Sequence, residues 1–268
     1  MSIKCSEIIS IMEDIAPLYL GYEWDNYGLL IGDENFNINS ILVSLDVNEE
    51  VLKEAINKGA NLIISHHPVI FSPLKSINRN NPKGKLVYDL ISNGINVYSA
   101  HTNLDCAERG INYFLAQKLN LKDTSFIEKV YEDDKSYGLG RIGNLEKPIS
   151  LKNLALIVKD ILKIDYLNVE GNLDDMVSKV GVLSGSGADF IEKVVDSGCD
   201  VYITGDIKYH DACDARSMGL KIIDPGHFAS ENIYMENLLF SLENQLFMKG
   251  INIKIELSKS NTSPWLKV

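Results

Sequence analysis

The residues best able to do chemistry in this chain are its histidines, of which there are only five. Each one lies just after a predicted buried strand or in the turn that follows: His66, His67, His101, His210 and His227. Imidazole binds metals when neutral and carries protons near neutral pH. A single histidine at such a position is more often structural, but all five at strand ends point to a site.

Two carboxylates have positions that suit the same site. Asp105 lies four residues after His101, in the turn that follows a predicted strand. Glu231 lies four residues after His227. At the start of a helix this i, i+4 spacing places both side chains on one face.

His66 and His67 are adjacent, so on a regular strand they would face opposite sides. Pro68 follows at once and ends regular structure, which allows a turn that aims both rings inward.

Three imidazoles and two carboxylates without a thiolate suit Zn, Fe, Mn, Co or Ni. A carboxylate can also bridge two ions about 3.5–4 Å apart. The predicted ligands of such a pair are His66, His67, Asp105, His227 and Glu231. The alternative is a buried network of hydrogen-bonded His and Asp side chains, which the sequence leaves open.

The elements that must position these residues alternate between apolar runs and helical patterns. The runs ILVSLD, NLIISHH, INVYSAHTNLD, VGVLSGSG, CDVYITGD and LKIIDPGH are typical of strands buried on both faces. Helical patterns cover 48–58, 83–93, 109–119, 188–197 and 209–218. This alternation predicts an α/β fold with mostly parallel sheets. In such sheets ligands bind beyond the carboxyl ends of the strands, where the polar residues of these runs fall.

The middle of the chain has a different composition. YGLGRIG at 137–143 suggests a tight bend, and Ser150 begins an amphipathic helix. A long helix is predicted over 230–248, and INIKIEL at 251–257 alternates like a half-buried edge strand. We therefore expect two lobes, the first formed by 1–125 plus 232–268 and the second by 126–231.

Bulk composition excludes several classes of protein. The formal net charge of −11 argues against a general nucleic-acid surface, and no apolar stretch reaches the roughly 20 residues of a membrane span. The N-terminus reads as an amphipathic helix rather than a signal peptide, which predicts a cytoplasmic protein. The four cysteines lie far apart without a CxxC pair, as expected of reduced thiols.

Six motifs, in order along nearly the whole chain, carry a resemblance to a known family. They are WDNYGLLIGD (24–33), SHHPVIF (65–71), AHTNLD (100–105), YGLGRIG (137–143), TGDIKYHDA (204–212) and DPGHFASE (224–231). Together they resemble the Nif-three-like dinuclear-metal proteins, which are often named GTP cyclohydrolase 1 type 2 homologs.

The resemblance implies a two-lobed α/β fold with a dinuclear metal site in the interlobe cleft, and a toroidal homohexamer. It implies metal ligation by the five residues named above and places His101 along the site. Some family members carry an inserted domain in mid-chain, and this chain looks like the short form.

The resemblance favours a metal-dependent hydrolase that uses metal-activated water on a nucleotide-like substrate. In a GTP cyclohydrolase the water attacks C8 of guanine, and in a phosphoesterase or nucleotidase it attacks phosphorus. His101 or His210 would then carry protons. The other possibility is a non-enzymatic metal-binding or interaction protein.

Several further positions have two interpretations each. Trp24, Asp25 and Asn26 would line the mouth of the cleft or anchor a loop, and Asp46 would support the metal ligands or cap a strand. The turn at 184–187 would hold a phosphate or be a plain βα turn. Asp206, Lys208 and His210 would contact a substrate or a neighbouring subunit, and Arg141 would clamp an anion or cap a turn.

Overall fold

The computed structural model describes residues 2–132, 136–260 and 262–265. In chain order the first elements are β1 (Ile3–Lys4), α1 (Cys5–Ile15), β2 (Gly28–Ile31), β3 (Asn37–Ile38), β4 (Ser40–Ser44), α2 (Glu49–Lys58), β5 (Leu62–Ser65), α3 (Pro82–Ser92), β6 (Asn96–Ser99) and α4 (Thr102–Cys106). The next are α5 (Ile111–Lys118), β7 (Lys122–Ser125), β8 (Glu128–Glu132), β9 (Ser136–Leu139), β10 (Arg141–Ser150), α6 (Leu151–Leu162), β11 (Asn168–Glu170) and β12 (Met176–Ser186). The last are α7 (Ile191–Asp196), β13 (Val201–Gly205), α8 (Tyr209–Ser217), β14 (Lys221–Asp224), α9 (His227–Asn232), α10 (Met235–Met248) and β15 (Lys254–Leu257).

The chain forms two compact units. Unit 1 comprises Met1–Leu104 and Tyr234–Val268, and unit 2 comprises Asp105–Ile233. The first boundary thus lies after residue 104, whereas the sequence placed it after residue 125. The reason is that α5 packs against β10 and β12, and β7 pairs with β10, so residues 105–125 join the second sheet.

The main sheet of unit 1 has, within the described residues, the strand order β15-β4-β5-β6-β2. The pairs from β15 to β6 are parallel, and β2 is antiparallel to β6. Leu42, Ile63 and Val97 of its central strands belong to a buried cluster with Val51 of α2 and Leu90 of α3. Burial of these apolar side chains is the main force that holds the helices on the sheet.

The register of this sheet brings three strand ends together. Ser44 of β4 pairs with Ser65 of β5, which in turn pairs with Ser99 of β6. Whatever follows these serines therefore lies at one edge of the sheet.

The main sheet of unit 2 is mixed. Its order over the described residues is β11-β14-β13-β12-β10-β7. The pairs β12–β13 and β13–β14 are parallel, whereas β11–β14, β12–β10 and β10–β7 are antiparallel. The expectation of mostly parallel sheets therefore does not extend to unit 2. Two of the three antiparallel pairs involve β10, which overlaps the segment interpreted as a bend and changes register between Asn144 and Ile149, around Pro148.

Capping residues explain where several helices begin and end. Asn48 accepts hydrogen bonds from the amides of Glu50 and Val51 at the start of α2, and Gly59 ends that helix with a φ of 68°. The predicted helix over 230–248 is divided into α9 and α10 at Ile233 and Tyr234, which is also a boundary between the units.

Throughout the described ranges, no helix combines the length and the apolar character that crossing a bilayer requires.

Candidate metal centre

His66 and His67 continue the chain beyond the end of β5. Their amides donate to the carbonyl oxygens of Ser44 (3.3 Å) and Leu45 (2.9 Å). Even so, the two imidazole rings lie on the same side, with their centroids 5.1 Å apart. The backbone therefore departs from the alternation of a regular strand at this point, as Pro68 predicts.

Each of these rings is held through its Nδ1 atom. His66 is fully buried, and its Nδ1 lies 2.8 Å from the carbonyl oxygen of Ala100. The Nδ1 of His67 lies 2.8 Å from Oδ1 of Asp46. Both partners only accept hydrogen bonds, so each Nδ1 carries a proton and Nε2 is the ring nitrogen that remains for a metal ion. Metal-ligating histidines are held in this way. Of the two interpretations of Asp46, the contact with His67 agrees with the one in which it supports a metal ligand.

His101 is held in the same manner by a carboxylate. Its Nδ1 lies 2.8 Å from Oδ1 and 2.9 Å from Oδ2 of Asp25. The Asp25 side chain is fully buried and also accepts from Thr102 Oγ1 (2.6 Å), Thr102 N (3.2 Å) and Asn26 N (2.8 Å). Burial alone would raise the pKa of Asp25, but the hydrogen bonds from His101 and Thr102 lower it to about 2. The carboxylate therefore stays ionised and fixes the His101 ring.

Three imidazoles meet at the shared edge of the unit 1 sheet. One nitrogen from each of His66, His67 and His101 lies within 4.8 Å of the others. Their ring centroids are 5.1–5.7 Å apart. We call these residues the imidazole group. Its dimensions and its Nδ1 anchors fit a divalent ion with nitrogen ligands.

In unit 2, α9 carries His227 and Glu231 on one face. Nε2 of His227 lies 3.0 Å from Oε2 of Glu231, as the i, i+4 spacing predicts. Nδ1 of His227 lies 2.8 Å from Oδ2 of Asp206. His227 thus repeats the pattern of His67 and His101, in which a carboxylate holds Nδ1. The Glu231 side chain is 5% exposed, so a cation near it would be poorly screened by water.

Asp206 adopts a left-handed backbone conformation. Its φ is 56°, in a region that Asp and Asn enter more readily than other L-residues with a side chain. Its side chain is 55% exposed.

The turn at 184–187 packs directly on Glu231. A Cβ atom on Gly185, whose φ is 70°, would lie 2.2 Å from Oε1 of Glu231, so only glycine fits there. The Gly185 amide donates to Ser230 Oγ (3.0 Å), which donates to the carbonyl oxygen of His227 (2.7 Å). The Ser184 amide donates to Asn112 Oδ1 (2.8 Å). These two amides serve the protein itself rather than a phosphate.

Asp105 is buried in α4 and is linked to the same turn. Its carbonyl oxygen accepts from Nδ2 of the fully buried Asn112 at 3.2 Å. Because Asn112 Oδ1 binds Ser184, one side chain joins Asp105 to the strand end beside Glu231. Neither Asn112 nor Ser230 stood out in the sequence, since a lone Asn or Ser within a helical pattern carries no signal.

His210 and Lys208 lie elsewhere in unit 2. His210 is exposed in the first turn of α8, and its ring centroid is 5.3 Å from that of Tyr209. Among the described side chains, it is not part of a group compact enough to share an ion. Lys208 is exposed and precedes α8, and its amide donates to Asp211 Oδ2 at 2.9 Å.

Arg141 is buried and serves as a turn cap. Its guanidinium donates to the carbonyl oxygens of Gly138 (3.0 Å), Gly140 (2.8 Å) and Ala107 (3.2 Å). It also lies 4.4 Å from the ring centroid of Phe126. Burial lowers its pKa to about 10. These contacts agree with the turn-cap interpretation and not with an anion clamp.

Comparisons with known proteins agree with this architecture. A GTP cyclohydrolase 1 type 2 homolog of Clostridium acetobutylicum is 38% identical over 265 residues, which cover 99% of each chain. The homolog of Bacillus subtilis is 30% identical over 368 residues, covering 98% of each, so it contains residues that this shorter chain lacks. The structure of a Bacillus cereus protein related to NIF3 matches with a TM-score of 0.94 and 30% identity, over 100% of this chain and 99% of that one. The family model for Duf34/NIF3 (NGG1p interacting factor 3) matches residues 3–264, and the chain therefore belongs to this family.

Proposed function

We propose that this chain binds two divalent metal ions and is a metal-dependent hydrolase of a nucleotide-like substrate. The observation that carries the proposal is the imidazole group, in which every Nδ1 is held by an oxygen acceptor. A hydrogen bond at Nδ1 fixes the orientation of the ring and leaves Nε2 as the basic atom. Histidines that bind metals in proteins are held in the same way. The metal content of the purified protein separates this arrangement from a network of hydrogen-bonded His and Asp side chains.

The ligands proposed for the two ions are His66, His67, Asp105, His227 and Glu231. Imidazole and carboxylate without thiolate favour Zn, Fe, Mn, Co or Ni over softer ions. The two carboxylates provide for a bridge, which a pair of neighbouring cations needs.

A metal pair, when bound, would polarise a substrate oxygen and lower the pKa of a water molecule. The chain's own residues would then manage the protons. Because Asp25 holds the Nδ1 proton of His101, proton exchange at this ring would occur at Nε2. His210 is the second proposed proton carrier, and its exposure gives it direct access to bulk water.

The nucleotide-like substrate is proposed from the names of the curated relatives, which are GTP cyclohydrolase 1 type 2 homologs. Attack at C8 of guanine would open the ring, whereas attack at phosphorus would make the protein a phosphoesterase or nucleotidase. The same residues would support either reaction. A non-enzymatic role is the second candidate, since the family description names an interacting factor. We also propose, from the family resemblance, that the chain assembles as a toroidal homohexamer.

The metal content of protein purified without chelator tests the first part of the proposal. We expect two ions per chain in the wild type and a clear loss in His67→Ala and in Glu231→Ala. Asp14→Asn, which changes an exposed carboxylate of α1, serves as the control and should retain both ions. Fewer than one ion per wild-type chain would refute a dinuclear centre.

Turnover tests the second part. Wild-type and variant proteins are incubated with GTP, other nucleotides and simple phosphoesters, and products are separated chromatographically. We expect activity in the wild type and in Asp14→Asn, and none in His67→Ala or Glu231→Ala. A metal-loaded wild type without turnover on any compound would favour the non-enzymatic role, and activity that persists in both ligand variants would come from elsewhere.

A further inference from the structure

Three aromatic side chains of unit 1 form an exposed surface that the proposed metal chemistry does not use. The Tyr22 and Trp24 rings are stacked, with centroids 5.6 Å apart and an angle of 23° between their planes. Phe71 meets Trp24 edge-on, with centroids 6.3 Å apart. Trp24 is 64% exposed and Phe71 is 53% exposed. We call Tyr22, Trp24 and Phe71 the aromatic platform.

The aromatic platform is held in place by its backbone. The Tyr22 amide donates to Thr102 Oγ1 (3.1 Å), and the Asp25 amide donates to the carbonyl oxygen of Tyr22 (3.1 Å). Nδ2 of Asn26 donates to the carbonyl oxygen of Ile70 at 2.5 Å, next to Phe71. Both ends of the platform are therefore fixed before any ligand arrives. The Trp24 ring itself is held by its contacts with Tyr22 and Phe71, which reduces the rotamer freedom that it would lose on binding a ligand.

The aromatic platform also adjoins the imidazole group. The Phe71 ring centroid lies 6.2 Å from that of His101, with the planes at 88°. Asp25, between Trp24 and Asn26 in the chain, is the residue that holds His101. One short segment thus fixes a ring of the imidazole group and an aromatic surface beside it, so a molecule lying on the platform would reach towards His101.

We propose that the aromatic platform binds a planar heteroaromatic ring of the substrate by stacking. This inference rests on the proposed function for its reaction and adds the surface that holds the substrate: a planar ring lies on the aromatic platform, beside the imidazole group. An exposed indole stacked from one side still offers a face to a ring, and aromatic stacking tolerates any base. A simple phosphoester without a ring would make no use of this surface.

Tryptophan fluorescence can report on the platform directly. The chain has two tryptophans, Trp24 and Trp265, so Trp265→Phe leaves Trp24 as the single reporter. This protein is titrated with GTP, ATP and guanosine, and with inorganic tripolyphosphate as the matched ligand without a ring. We expect saturable quenching by the ring-bearing compounds and none by tripolyphosphate.

Removal of Phe71 tests the platform by affinity. In the Trp265→Phe background, Phe71→Ala should weaken apparent binding of GTP by about tenfold, in line with the stacking contribution of one aromatic side chain. Phe36→Ala removes an aromatic residue just before β3 that is 40% exposed and should leave the affinity unchanged. Thermal unfolding curves and metal content of both variants establish that fold and metal site are intact.

The outcomes separate this inference from the proposed function. Absence of quenching by every ring-bearing compound, equal quenching by tripolyphosphate, or equal losses in Phe71→Ala and Phe36→Ala would overturn the platform. None of these results bears on metal content. Conversely, a protein without bound metal in which GTP still quenches Trp24 would retain the platform while the dinuclear proposal fails.

Discussion

Three histidines of this protein each have a carboxylate oxygen in contact with the Nδ1 atom of the ring. His67 depends on Asp46, His101 on Asp25 and His227 on Asp206, always through a contact of 2.8 Å. A carboxylate in this position orients the ring and increases the basicity of Nε2. His67 and His227 are proposed metal ligands, so changing Asp46 or Asp206 should weaken metal binding without removing a ligand.

Asp46 offers the most direct test of this idea. Asp46→Asn keeps the size of the side chain but removes its charge, so we expect metal affinity to fall by about tenfold or more. Affinity is measured by competition with a chromophoric chelator, with Asp14→Asn as the control. Wild-type affinity in Asp46→Asn, combined with loss in His67→Ala, would mean that Asp46 only caps the strand.

Two variants of Asp206 can separate the effect of its backbone conformation on stability from its effect on the orientation of the His227 ring. Its φ of 56° suits glycine and disfavours alanine. Asp206→Ala should therefore be about 1 kcal/mol less stable than Asp206→Gly in urea unfolding. Both variants lose the acceptor for His227 and should lose metal affinity equally. Equal stability of the two variants, or a metal affinity that differs between them, would contradict this division of roles.

The sequence predicted the candidate residues better than their partners. Strand-end placement and spacing were enough to single out His66, His67 and the pair His227–Glu231, because these are local properties. The role of Asp25 was not predictable in the same way. Its partner His101 is 76 residues away, and nothing in the residues around it distinguishes a loop anchor from a ring-holding carboxylate.

At the scale of elements, one carboxylate joins the C-terminal strand to α2. Glu54 of α2 accepts from Ser258 Oγ (2.7 Å) and from the amides of Lys259 (3.0 Å) and Ser260 (2.9 Å), just beyond β15. Its Oε1 also lies 2.9 Å from Nζ of Lys58. Burial alone would raise the pKa of Glu54, but these hydrogen bonds lower it from 4.5 to about 2.

This shift predicts how stability depends on pH. The folded state has the lower pKa, so the contribution of Glu54 is complete above about pH 4.5 and is lost as the pH falls towards about 2. We expect Glu54→Gln to reduce the free energy of unfolding at pH 7 by about 1–2 kcal/mol, after allowance for solvent screening.

Urea unfolding of wild type and variant between pH 7 and pH 3 measures this effect. The difference between the two proteins should shrink at the acid end, because the wild-type carboxylate becomes protonated. Glu243→Gln, which removes an exposed carboxylate of α10, should change stability by less than about 0.5 kcal/mol at pH 7. If the difference in free energy of unfolding between wild type and Glu54→Gln stays constant with pH, the contribution of Glu54 does not depend on its charge.

Elements with a strong periodic pattern were predicted closely, and elements defined by pairing were not. The pattern over 48–58 corresponds to α2, and the amphipathic helix predicted to begin at Ser150 corresponds to α6. By contrast, β10 contains glycine, proline and charged residues and becomes a strand only because β12 and β7 lie beside it. Such long-range pairing leaves no local signature.

At the scale of the whole molecule, the chain crosses between its two units inside α4 and again between α9 and α10. Leu104 belongs to unit 1 and Asp105 to unit 2, although one helix contains both. The sequence could not reveal this boundary, because no change in composition marks it.

Assembly of several chains is the last property to be tested, and α10 is the element we expect to take part. Phe240, Phe247 and Met248 of this helix are 59%, 83% and 79% exposed, an unusual concentration of apolar surface. If the chain is a homohexamer, light scattering should give six times the mass of one chain. Burial of Phe247 against a neighbour would make Phe247→Glu dissociate the assembly, since an unpaired carboxylate would be desolvated. Ile91→Glu changes a residue of α3 that is 55% exposed and should leave the mass unchanged. A wild type that scatters as a single chain would refute the hexamer, and a hexamer unaffected by Phe247→Glu would assign the contact to another surface.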